Sequence, residues 1–359
     1  MNTNKIPVGI LGATGMVGQR FVTLLSAHPM FEIKVLAASP RSAGKKYSKA
    51  VEGRWVMETQ IPAAVSEISV LKVEDDLEEI VSQVKIVFSA VDLDKESIRK
   101  IEEMYAENGV AVVSNNSAHR WTSDVPMILP EINPEHLELI DIQRKNRGWN
   151  RGLIVVKPNC SIQSYVPLIT PLLKFKPTEI IVTMLQAVSG AGKTLEGWEE
   201  MQDNVNPYIN GEEEKSEKEP LKIWGEVKNN NIQNLEGINI SATCIRVPVS
   251  DGHMASVSIK FEDKLTKAQI IEAWNNFNPL FNLDLPSAPS PFITYFDADD
   301  RPQTRLDRNI GNGMGIAAGR LRNDNILDYK FIGLSHNTIR GAAGGAILTA
   351  ELLVKKGYV

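Results

Sequence analysis

The opening residues constrain the fold more than any other part of the chain. Residues 6–11 read as a short apolar strand that runs into Gly9-Ile-Leu-Gly12-Ala-Thr-Gly15-Met-Val-Gly18, followed by a helical stretch over 19–27. A strand, a glycine-rich turn and a helix in that order make the first unit of a parallel α/β sheet. Glycines at 12, 15 and 18 permit a tight turn and let a phosphate approach free helix N–H groups. The spacing is not quite GxGxxG, so the flanking strand and helix carry the assignment. We expect a dinucleotide-phosphate cradle built from Gly12, Thr14, Gly15, Met16 and Val17. The alternative is a purely structural turn.

A second strand over 32–38 ends in Ser39-Pro-Arg-Ser-Ala-Gly44. An NAD site places an acidic residue at this strand end, where it binds the ribose diol. Here the end offers Ser39, Arg41 and Ser42, with Lys45 and Lys46 beyond. Hydroxyls and a guanidinium suit a 2′-phosphate through charge-assisted bonds, so NADP is preferred over NAD. Glu32 stands at the strand start and misses the ribose. In the surface excursion 44–59, Trp55 either covers the cofactor or merely packs.

A helix over 75–82 precedes a strand over 85–90, whose small end, Ser89-Ala90, lets a cofactor pass close to backbone. The heavily charged helix 94–108 stops at Gly109, and the next strand, 110–114, leads into Asn115-Asn-Ser-Ala-His-Arg120. Polar strand ends are where open α/β sheets hold ligands. Arg120 is the better candidate for an anion contact, and His119 reads as an ordinary surface residue.

A charged helix over 135–147 leads to the central strand and to Val155-Val-Lys-Pro-Asn-Cys-Ser161. This places Cys160 at or just inside the start of a helix read over 165–173. Free N–H groups and the helix dipole there would lower a thiol pKa and make Cys160 a nucleophile. A small buried hydrophobe is the competing reading.

Beyond it, a strand over 179–187 ends in Gln186-Ala-Val-Ser-Gly190, and 193–204 reads as a helix. The cluster over 209–220 reads on composition as a solvated loop or helix start. A strand over 239–245 reaches Arg246, and a Pro/Gly turn separates it from His253 and a further strand over 254–261. Arginine suits a bidentate hold on a carboxylate and histidine suits proton transfer, so both can face one pocket. A turn histidine bound only to backbone is the alternative; Cys244 reads as a buried strand residue. A helix over 265–277 and paired strands over 315–322 and 326–334 follow. His336-Asn-Thr-Ile-Arg-Gly-Ala-Ala-Gly-Gly345 then opens an apolar helix to residue 354, which we expect to return to the first domain.

The 359 residues suffice for two domains, and a formal charge of −5 with no basic run argues against nucleic acid as a partner. No apolar stretch of about 18 residues suggests a membrane span. Two cysteines at a non-metal spacing, no signal-like run over 1–5 and five scattered histidines suggest a reduced cytoplasmic protein without a metal. A nicotinamide site with a helix-start cysteine and a separate histidine points to aldehyde or thioester redox chemistry.

These segments, in order and at their spacing, resemble the aspartate-semialdehyde dehydrogenase family, archaeal and fungal branch, over essentially the whole chain. The resemblance implies an α/β fold: a Rossmann-type NADP-binding domain (1–158 with 337–359) and an α+β catalytic and dimerisation domain (159–336). It implies NADPH-dependent interconversion of aspartyl phosphate and aspartate semialdehyde, toward threonine, methionine, isoleucine and lysine. By position Cys160 is the nucleophile, His253 the acid/base and Gln186 the residue that orients the intermediate. Arg246 matches the carboxylate ligand, while Arg120, Asn116, Lys215 and Glu212 match residues around the substrate and phosphate. Ser89, Ser189, Gly190 and Asn337 match cofactor contacts. Homodimers or homotetramers are implied, with a small anionic substrate and phosphate as the other partners. Malonyl-CoA reductase resembles the same branch, and the intact Glu212-xx-Lys215 pattern favours the phosphate substrate over its CoA thioester. The dehydrogenase for phosphorylated N-acetylglutamate semialdehyde fits the interior motifs less well. A non-catalytic NADP-binding protein would tolerate loss of Cys160, His253 and Arg246, all of which are present.

Overall fold

Six parallel strands form the first layer of the protein, whose structure, a computed structural model, describes residues 5–359. Readings that touch residues 1–4 lie outside it. The strands are β1 (Ile6–Leu11), β2 (Phe31–Ala38), β3 (Val70–Lys72), β4 (Ile86–Ser89), β5 (Ala111–Ser114) and β6 (Leu153–Val156). Their order is β3-β2-β1-β4-β5-β6, which reverses direction between β1 and β4. Crossover helices cover both faces, so β4, β5 and β6 are buried at every residue and read as continuous apolar runs. Loops at the carboxyl ends of β1 and β4 diverge at the reversal, and the crevice between them is where such sheets bind ligands.

The second sheet is mixed. Its strands are β7 (Pro177–Gln186), β10 (Asn239–Arg246), β11 (His253–Phe261), β12 (Ile293–Phe296), β13 (Ile316–Asn323) and β14 (Tyr329–Ser335), in the order β10-β7-β11-β14-β13-β12. A small hairpin, β8 (Glu226–Lys228) with β9 (Asn231–Gln233), lies apart. Alternate residues of β7, β10 and β11 are buried, so one face packs inward. The terminal helix Gly344–Lys355 shares a core with the first sheet: Ile347, Leu348 and Leu352 cluster with Val8, Ile10 and Val113. A π-type turn, Ile339–Ala343, precedes it.

Two expected helices differ. The stretch after Cys160 is one α-turn, Val166–Ile169, between 3₁₀ segments Ser161–Ser164 and Thr170–Phe175. Pro167 and Pro171 lack the N–H groups a continuous α-ladder needs. Residues 193–204 form turns with one short 3₁₀ segment, Glu199–Met201; most of this stretch is exposed and offers no apolar stripe to bury. Among the described residues no helix is long and apolar enough to cross a membrane.

Candidate active site

Register brings three candidate side chains to one end of the second sheet. Gln186 ends β7 and pairs with Arg246 at the end of β10, while His253 begins β11 on the other side of β7. All three fall on the buried phase of the strand alternation and point to the inner face. Cys160, on the turn after β6, packs against that end, its Sγ 3.5 Å from His253 Nε2. Gly341 lies so close that a Cβ there would stand 2.7 Å from Cys160 Cβ. Gly190 forms the adjoining wall, where a Cβ would meet Arg246 Nη1 at 2.8 Å and His253 Nε2 at 3.0 Å.

The Ala187 N–H donates to His253 Nδ1 at 3.0 Å. A backbone N–H only donates, so a neutral His253 carries its proton on Nε2, toward the sulfur. Burial, helped by the Arg246 charge, pushes this imidazole down to about 3. Cys160 stays partly exposed, yet burial and the Glu212 carboxylate push its thiol up to about 11 against Arg120, Lys157 and Arg246. The resting pair is therefore a neutral thiol beside a neutral imidazole. This corrects the expected helix-stabilised thiolate: a single 3₁₀ turn supplies too few aligned dipoles to offset desolvation.

The acidic cluster is the helix Glu212–Ile223, and it is not a solvated face. Glu213 and Glu217 accept from the Cys244 and Ala242 N–H groups of the edge strand β10. One-third of a turn away, Glu212, Ser216 and Glu219 are buried toward Cys160. Glu212 accepts from Asn159 Nδ2 at 3.0 and 3.1 Å, from Gln186 Nε2 at 3.1 Å and from Lys215 Nζ at 2.7 Å. Glu219 accepts from Arg120 Nη1 and from the Asn159 N–H at 2.9 and 2.6 Å. Arg246 Nη1 donates to the Ala187 carbonyl at 2.8 Å.

A cleft of about 290 Å³ opens at the β1/β4 reversal, lined by Gly12, Thr14, Gly15, Ser39, Lys72 and Asp92 among others. Gly12 needs its φ of +84°, and a Cβ there would strike the Ala90 carbonyl at 2.3 Å. At Gly15 a Cβ would meet only the Gly12 oxygen, at 3.6 Å. The protein leaves that space open at a helix N-terminus, which fits a dinucleotide pyrophosphate. Met16 and Val17 are half-buried in the first turn behind it.

Arg41 and Ser42 do not line this cleft: Arg41 is exposed and Ser42 is buried, its hydroxyl taken by Arg54 Nη2. Ser89 is buried beneath the crevice and accepts from Asn116 Nδ2 at 3.1 Å. Asn116 also donates to the buried carboxylate of Glu102. Asn337 Nδ2 donates to Ser189 Oγ at 2.8 Å, and its Oδ1 accepts from the Gly252 N–H, close to His253. His119 is 1% exposed rather than a surface residue, its Nδ1 bonded to Thr122.

Sequence reading missed Glu219, Asn159 and Lys157. An i, i+4, i+7 spacing of Glu212, Ser216 and Glu219 was available as a polar face, but nothing local shows what covers it. Lys157 is buried, its Nζ has no partner among the described residues, and burial pushes it down to about 7. Among the described residues no cluster of three or more His, Cys, Asp or Glu is arranged to hold a metal ion.

The model of the semialdehyde dehydrogenase NAD binding domain matches residues 7–140, and that of the semialdehyde dehydrogenase dimerisation domain matches residues 169–340. The aspartate-semialdehyde dehydrogenase of Archaeoglobus fulgidus is 43% identical over 99% of this chain and 100% of its own length. That of Schizosaccharomyces pombe is 44% identical over 98% of this chain and 99% of its own. A crystal structure of the Candida albicans aspartate semialdehyde dehydrogenase with NADP superposes with a TM-score of 0.89 at 38% identity, covering 99% and 100% of the two chains. The chain belongs to the aspartate-semialdehyde dehydrogenase family.

Proposed function

We propose that this protein is an NADP-dependent, phosphorylating aspartate-semialdehyde dehydrogenase, reducing L-4-aspartyl phosphate to L-aspartate 4-semialdehyde and running in reverse. The observation that carries this reading is the Cys160–His253 pair at 3.5 Å, framed by Gln186, Arg246 and the Glu212–Lys215 ion pair. Its relatives' names supply the substrate.

In the oxidative direction Cys160 Sγ adds to the aldehyde carbon. His253 Nε2–H, facing Sγ, gives its proton to the carbonyl oxygen while the same nitrogen takes the thiol proton, so in net one proton moves from sulfur to oxygen. Arg246 holds the substrate carboxylate with its remaining N–H groups. NADP held in the cleft would supply the hydride acceptor, and the thiohemiacetal hydroxyl would lose its proton to water as the carbonyl of the Cys160 thioester forms. Phosphate then attacks the Cys160 thioester, and the sulfur leaves. Arg120 has a fixed edge for that phosphate, and Lys215 adds a second cation.

The residues of the β1/β4 cleft hold the dinucleotide, with Gly12, Thr14 and Gly15 at the pyrophosphate and Ser39 toward the ribose. Ser189, Gly190 and Asn337 serve the nicotinamide end, and Arg41, from its exposed position, reaches a 2′-phosphate. We assign 1–158 with 337–359 to the cofactor domain and 159–336 to the catalytic and dimerisation domain. A homodimer through the outer face of the second sheet is supported by Ile181, 50% exposed, beside the partly buried Leu185, Ile245 and Ile332. A tetramer would pair such dimers. A cytoplasmic location suits this chemistry.

The test is NADP reduction with L-aspartate semialdehyde, with and without phosphate. Phosphate-dependent turnover is the expected result. Activity only in reverse with malonyl-CoA and NADPH would overturn the substrate and keep the Cys160 chemistry.

A further inference from the structure

Glu219 joins the Arg120 guanidinium to the backbone beside Cys160. It is 0% exposed, and the arginine it pairs with is only 8% exposed. Its Oε1 accepts from Arg120 Nη1 at 2.9 Å. Its Oε2 accepts at 2.6 Å from the Asn159 N–H, one residue before the nucleophile.

The remaining bonds of Arg120 show what this achieves. Nε donates to the Lys157 carbonyl at 3.0 Å, and Nη2 donates to the Asn115 carbonyl at 3.5 Å. A guanidinium has five N–H groups. Three are held by protein, and one remains on each of Nη1 and Nη2. That pair is a fork for two oxygens of one phosphoryl group. Its direction is set by the carboxylate on Nη1 and the two carbonyls. The same carboxylate pins the peptide that orients Cys160.

We propose that Glu219 is a positioning residue. It aligns the phosphate-binding edge of Arg120 with the Cys160 thioester, so that phosphate arrives in line with the acyl carbon. This deepens the phosphorylating reading above and rests on it. Glu219 touches no reacting atom; it works through Arg120 and Asn159. The helix Glu212–Ile223 supplies the rigidity, because Glu213 and Glu217 tie it to the β10 edge.

The test is Glu219→Gln. A glutamine offers one acceptor oxygen and one NH₂ group, so one of the two donors then faces another donor. The expected result is a KM for phosphate raised about tenfold or more, with the KM for the semialdehyde changed less than about twofold. The iodoacetamide alkylation rate of Cys160 should also change by about threefold or more, with NADP affinity unchanged. A variant in which neither phosphate KM nor alkylation moves overturns the proposal. So does one in which every parameter falls in proportion to folded protein. If Glu219→Gln fails to fold because a buried guanidinium is left uncompensated, Arg120→Met/Glu219→Gln removes both charges. Alkylation of that variant must then differ from Arg120→Met alone, and equality overturns the hold on Asn159. Wild-type turnover that ignores phosphate would instead defeat the phosphorylating reading, and the alkylation comparison, which needs no substrate, still decides whether Glu219 sets the Cys160 loop.

Discussion

Ala187 donates its backbone N–H to Nδ1 of His253, and this contact fixes which face of the imidazole can carry a proton. A protonated Nδ1 would set two donors against each other 3.0 Å apart. ¹⁵N spectra of labelled histidine should show His253 as the Nε2–H tautomer, neutral from pH 8 to about 4. An imidazolium signal near neutrality would replace this picture with a thiolate–imidazolium pair.

Thiol reactivity reads the other half of the pair. With its thiol near 11, Cys160 should alkylate about tenfold faster per pH unit from 6 to 10. A plateau through neutrality would show a preformed thiolate. Cys160→Ser should keep NADP binding and lose nearly all turnover, because a neutral serine is a weak nucleophile.

The two cradle glycines should separate folding from binding. Gly12→Ala forces a Cβ into the Ala90 carbonyl and should cost about 1–3 kcal/mol of stability through crowding alone. Gly15→Val enters open space at an ordinary φ of −79° and should leave Tm nearly unchanged. Its dissociation constant for NADP, read by calorimetry, should rise by about tenfold or more. An unchanged constant would place the pyrophosphate elsewhere.

Lys157 should be a stability cost. Burial drops its pKa from 10.5 in the unfolded chain to about 7, so the unfolded chain binds the extra proton between those values. Native stability therefore falls as pH drops from 10.5 to 7, and the full penalty remains below 7. Lys157→Met should stabilise the protein by about 1–4 kcal/mol at pH 7. The gain should vanish above pH 10.5. A loss of stability at pH 7 would mean that the ammonium is held by a partner.

Acid should unfold the protein early. His119, His253 and His336 are buried and pushed down to about 4, 3 and 4 by desolvation. In the unfolded chain each titrates near 6.5, so below that pH the unfolded state gains protons that the native state refuses. Stability should drop by about 2–3 kcal/mol per histidine between pH 6.5 and 4, measured by urea melts across that range. A flat profile would mean these imidazoles charge in the folded protein.

Period-two alternation and strand–turn–helix order are local properties, so the sequence alone marked out the first sheet and named Gly12–Gly15, Cys160, Arg246 and His253 as candidates, while Gln186 came from the family resemblance. In the structure Gln186, Arg246 and His253 share one buried face of that alternation, whereas the sequence had joined only Arg246 and His253 to one pocket. Partner choice and burial are set by residues distant in the chain, and only the tertiary structure decided them. Glu219 meets Asn159 across 60 positions, Arg120 meets Glu219 across 99, and composition had given the acidic helix to solvent. The protonation of Cys160 followed the same rule: a motif at a helix start predicts a thiolate, but the protein packed around it desolvates the sulfur. Arg41 stands at the strand end that its spacing indicated, while the fold turned Lys72 of the neighbouring strand into the cleft. A residue's type is written in the chain; the dielectric and the charges around it exist only once the chain has closed.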